Sequence, residues 1–106
     1  MKNLIAKAFS VAELLDYQKG AIVSREIARK PAGTVTLFAF DKGQGLSEHT
    51  APFDAIVFVV EGRANVQIKG RPSLVKKGQM IIMPANKPHS VKAPTRFKML
   101  LIMIRA

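Results

Sequence analysis

From Gly20 to Ile104 the chain is cut by glycine and proline into short runs that are either apolar throughout or alternate apolar with polar. Runs of four to eight residues between turn residues are strand signals, whereas a helix needs a longer uninterrupted period. The clearest run is Thr34 to Phe40 (TVTLFAF), rich in β-branched and aromatic side chains. Ala21 to Arg29, Leu46 to Thr50, Ala55 to Val60, Arg63 to Lys69, Ser73 to Lys76, Gln79 to Met83, His89 to Lys92 and Phe97 to Ile104 read the same way. Turns are expected at Lys30-Pro31-Ala32-Gly33, Asp41 to Gly45, Glu61-Gly62, Gly70-Arg71-Pro72 and Lys77-Gly78, with a loop over Pro84 to Pro88. The pattern predicts an all-β fold, a small antiparallel barrel or sandwich.

Before Gly20 the signal differs. Ser10-Val11-Ala12-Glu13 fits a capping box, and Val11, Leu14 and Leu15 follow at helical spacing. A short amphipathic helix of about two turns is expected, acting as a lid on one end of the sheet. The reading is one domain over residues 1–106, with an N-terminal extension to residue 19 and the β-barrel from residue 20.

Two strands, Ala55–Val60 and Phe97–Ile104, are apolar on both faces, but a lone barrel needs only one apolar face per strand. The surplus has to be covered by the N-terminal helix, another strand or a partner subunit, and a homodimer is expected. The net charge of +10 raises the question of nucleic acid. The basic residues are scattered, however, and no aromatic residue flanks Lys76-Lys77, so the charge reads as solvated surface and no nucleic-acid partner is expected. The chain has no cysteine, which excludes disulfides and thiolate chemistry. No apolar run approaches the length of a membrane span, and the start shows no signal peptide, so a cytoplasmic protein is expected.

The chemistry-bearing residues are few. The only histidines are His49 and His89, and no nucleophile has a recognisable base partner. Strand alternation from His49 puts Ala51, Phe53 and Ala55 on the same inward side. Met80, Met83, Met99 and Met103 fall at strand spacing; they read as adaptable core filling, with soft-metal thioether ligation as the alternative.

Two stretches, Gly43 to Gly62 and Gly78 to Val91, resemble the two motifs of the cupin family. The first motif, G-x5-H-x-H-x3-4-E-x6-G, is matched at Gly43, His49 and Gly62; its second histidine falls on Ala51 and its glutamate on Ala55. The second, G-x5-P-x-G-x2-H-x3-N, is matched at Gly78, Pro84 and His89; Asn86 replaces the inner glycine and Ala93 the asparagine. The resemblance implies a double-stranded jelly roll with both histidines in its mouth.

In metal-binding members three histidines and a glutamate hold a divalent ion; here two of those four positions are alanine. An ion such as Fe, Mn, Ni or Zn would need a third protein ligand, Asp54 or Glu48. Each lies one residue out of register, so Asp54 would need a bulge at Ala51-Pro52-Phe53 to turn inward. The expected function is binding of a small molecule in a cavity lined by His49, His89, Phe53, Ala51, Ala55 and Met83. The alternative is a metal-dependent isomerase or dioxygenase using His49 and His89.

Overall fold

The computed structural model describes residues 4–105. Nine strands follow one another: β1 (Ile22–Lys30), β2 (Gly33–Phe40), β3 (Gly45–His49), β4 (Asp54–Glu61), β5 (Arg63–Ile68), β6 (Arg71–Lys76), β7 (Met80–Met83), β8 (His89–Lys92) and β9 (Phe97–Ile104). They form two antiparallel sheets, one ordered β1-β2-β9-β4-β7 and the other β3-β8-β5-β6. This is the jelly roll implied by the sequence. β6 begins earlier than expected and contains Pro72, tolerated because β6 lies at the edge of its sheet.

The inward faces meet in one core. Val57 and Val59 of β4, Ala64 and Val66 of β5, and Phe97 and Met99 of β9 are fully buried. The rings of Phe40 and Phe97 stack with centroids 4.4 Å apart. Gly62 makes the β4–β5 turn possible: its φ is +71°, and a Cβ there would stand 2.2 Å from the Arg96 carbonyl oxygen.

The expected two-turn helix is a single 3₁₀ turn at Val11–Leu14. Ser10 makes no side-chain cap, and Leu15 is already extended. Tertiary contacts override the local propensity. The segment runs across the outer face of the five-stranded sheet as a strap whose backbone carbonyls are used from outside. Lys98 Nζ donates to Ala12 O at 2.6 Å, and Arg25 Nη1 donates to Leu14 O at 3.3 Å. The Tyr17 hydroxyl donates to Glu61 Oε2 at 2.5 Å; burial and then this bond push the phenol pKa well up. Asp41 accepts from the Gly20 amide at 2.6 Å and from Arg96 at 2.7 Å.

Candidate functional site

β3 and β8 are neighbours in the four-stranded sheet, and their register sets His49 opposite His89. A shift in that register between Leu46 and His49 lets both residues face inward although they are an odd number of positions apart. The two Nε2 atoms are 3.2 Å apart and the rings meet edge to face, at 74°. His89 is buried, with 3% exposure, whereas His49 is exposed at the rim.

The backbone sets the tautomer of both rings. His49 Nδ1 lies 2.8 Å from Ser47 O, and His89 Nδ1 lies 3.2 Å from Lys87 O. A carbonyl oxygen only accepts, so each Nδ1 must carry the hydrogen. In the neutral rings both Nε2 atoms are then bare acceptors, and they converge obliquely rather than head-on: the nitrogens are 3.2 Å apart and the ring centres only 4.4 Å apart. Such a pair is satisfied only by a positive or hydrogen-donating centre placed between them. Burial, and after it the charge on His49, lowers the His89 pKa, while the Lys87 carbonyl works in the opposite direction.

The loop that aims His89 is latched to the first stretch. Asn86 has the φ of +63° that its place in the motif requires, and its amide donates to Ala51 O at 2.7 Å. The Ala85 amide donates to Asp54 Oδ1 at 2.9 Å.

The histidines lie on a cavity of about 50 Å³ whose other walls include Ala51, Ala55, Met83, Met99 and Met103. That volume suits an ion or a few small atoms; sites for drug-sized ligands run to roughly 300–1,000 Å³. A larger open cleft, about 740 Å³, lies against Pro52, Phe53, Asp54, Ala85, Ile104 and Arg105. It contains neither histidine; the two nitrogens converge on the smaller cavity.

The structure brings His49, His89, Ala51, Ala55 and Met83 together, corrects the placement of Phe53, and leaves Asp54 and Glu48 out of register, with no bulge turning Asp54 inward. Phe53 is not in the cavity; it lines the outer cleft, with the Arg105 guanidinium 5.3 Å from its ring centre. Residues 50–53 leave strand geometry, so counting alternate positions on from His49 fails there. Asp54 does not reach the imidazoles. It opens β4 one position before the buried Ala55, faces outward, and accepts from Ala85. Glu48 is exposed beside His49.

Among the described residues no group of three or more His, Cys, Asp or Glu side chains is placed to hold a metal ion. The donor set therefore does not fit the divalent cage of three histidines and a glutamate. Met99 and Met103, which read from the sequence as core filling, also line the cavity; their alternation with outward residues in β9 is the signal that places them there.

Comparison with known proteins agrees with the fold. Residues 36–105 match the family described as Cupin domain. A conserved Streptococcus pyogenes protein of unknown function, SPY1581, is 32% identical, with 95% of this chain and 89% of that one aligned at a TM-score of 0.90. A cupin 2 conserved barrel domain protein from Leptotrichia buccalis is 43% identical, with a TM-score of 0.87 over 91% of this chain. The aligned region is 47% of that longer chain, so the present chain spans about half its length. A cupin superfamily protein from Desulfitobacterium hafniense has the same fold at 23% identity, with 95% and 93% of the two chains aligned and a TM-score of 0.89. No curated protein matches the chain.

Proposed function

Since this chain belongs to the cupin domain family, we propose that it uses the family's barrel as a binding module, capturing one small guest between His49 and His89. The observation that carries this reading is the pair of bare Nε2 atoms, 3.2 Å apart, each fixed by a backbone carbonyl on its far side. A guest must offer them an acidic hydrogen or a positive centre. The rest of the wall is alanine, methionine and other apolar side chains, so the guest's remaining surface is apolar or absent. The size of the cavity limits it to a few heavy atoms unless the methionines repack, which their unbranched side chains allow.

The alternative of an isomerase or dioxygenase working through Fe, Mn, Ni or Zn is less well supported. Asp54 is engaged by Ala85 and Glu48 is exposed, which leaves two imidazoles where such ions want a third strong protein ligand.

The test is an NMR screen of small protic compounds with methyl-labelled methionine. Binders should shift the Met83, Met99 and Met103 methyl signals in the wild type and lose the effect in His89→Ala. If no compound moves those signals, or if His89→Ala responds as the wild type does, the reading fails.

We also propose that two copies pair through the outer face of the five-stranded sheet. The strap covers the Lys98 end of that face. At the other end Met80, Ile82 and Ile104 are 58%, 55% and 47% exposed, and Ile56, Phe58 and Ile102 lie beside them. A patch of that kind on one sheet supports self-association.

A further inference from the structure

The proposed dyad leaves the chemical class of its guest open, and the opposite wall narrows it. β9 sends Met99 and Met103 inward, and β7 sends Met83 inward, all to the cavity that holds the imidazoles. Met83 and Met103 each pair with Ala55, the small residue at the position of the family's glutamate. The side-chain donors on this cavity are therefore two imidazole nitrogens and three thioether sulfurs, with no carboxylate, hydroxyl or amide.

That set is selective by its softness. Hard ions such as Mg, Ca and Mn prefer carboxylate, carbonyl and water; thioether ligands favour Cu(I). The spacing is also suitable. Nitrogens 3.2 Å apart, each about 2.0–2.1 Å from a shared ion, subtend an angle of about 100° there. This angle belongs to a tetrahedral or trigonal centre and not to a linear one. A centre of that shape needs one or two further ligands, and the wall that can supply them carries methionines. The ion's single positive charge also suits the pair of bare lone pairs.

We propose that His49 and His89, with one or two of the thioethers of Met83, Met99 and Met103, form a site for a single Cu(I) ion. The inference rests on the dyad reading above and adds the methionine wall to it. His49, exposed at the rim, is the ligand that an incoming ion meets first, and His89 lies beneath it. No change of oxidation state is involved in binding.

The experiment is an anaerobic titration of the full chain with Cu(I) held by a competing chromophoric chelator, followed by X-ray absorption of the loaded protein. The wild type should take one ion, with both nitrogen and sulfur neighbours, and Zn(II) at equal concentration should not displace it. His49→Ala and His89→Ala should each weaken binding by at least about a hundredfold, beyond the 10–100-fold seen for mere supporting partners. The triple variant Met83→Leu, Met99→Leu, Met103→Leu keeps the core volume, so the fold should survive. It should lose the sulfur signal and bind at least about tenfold more weakly. Met80→Leu, on the outer face, should behave as the wild type.

A wild type that takes no Cu(I) from the chelator, or that yields it to Zn(II), overturns the proposal. If the triple variant binds like the wild type while the histidine variants fail, the methionine inference falls and the dyad stands. If the histidine variants also bind like the wild type, both fall.

Discussion

The two faces of β4 and β9 are made of the same kinds of side chain and meet opposite fates. Inward, Val57, Val59, Phe97 and Met99 are sealed against the second sheet. Outward, Ile56, Phe58, Leu100 and Ile102 alternate with them along the same strands, facing the strap at one end and open space at the other. Apolar composition alone therefore does not tell core from interface. The partner decides: on one side a sheet of the same chain, on the other a strap that runs out before the sheet does.

The sharpest way to break the comparison is to truncate one residue on each face. Phe97→Ala removes a fully buried ring stacked on Phe40 and should cost about 3–5 kcal/mol in denaturant unfolding. Ile104→Ala, at the open end of the outer face of the same strand, should stay within about 0.5 kcal/mol for the monomer. Equal losses would erase the distinction.

A second substitution tests the open end directly. Ile82→Glu places a charge on the exposed side of β7 without touching the core. Self-association measured by sedimentation should weaken by at least about tenfold, or about 1.4 kcal/mol, with little change in monomer stability. Unchanged association would remove the outer face as the interface.

The smallest effect concerns the covered end. The Gly20 amide and then Arg96 lower the Asp41 pKa from 3.8 to about 2. A depressed carboxylate pKa gives stability that is complete above the unfolded value and fades as pH falls through the folded one. Between about pH 4 and pH 2 the end of the strap at Gly20 should loosen, and hydrogen exchange at the Gly20 amide should rise. Asp41→Asn should show the faster exchange already at neutral pH and lose this pH dependence.

Much of this architecture was legible from residue order. Thr34 to Phe40 and Phe97 to Ile104 became strands nearly as read, because β-branched and apolar runs between turn residues have few other options. His49 and His89 could be brought together from their places in two recognisable stretches. Phe53 is misplaced by alternation, because residues 50–53 leave the strand, although Ala51 and Ala55 on either side of it still line the cavity and Asp54 stays out of register as read. The strap is illegible for a different reason: Ser10 and Glu13 spell a cap, but Lys98 and Arg25, distant in sequence, bind the Ala12 and Leu14 carbonyls. The locked tautomers were out of reach altogether, since they depend on where the Ser47 and Lys87 carbonyls point.

The bond from Asn86 to Ala51 has a consequence for how such a pocket can diversify. It joins the loop carrying one imidazole to the segment following the other, so a change in loop length or backbone angle at position 86 is transmitted to both walls at once. The shape of the opening can thus be altered by edits several residues away, while the two nitrogen donors keep their identity.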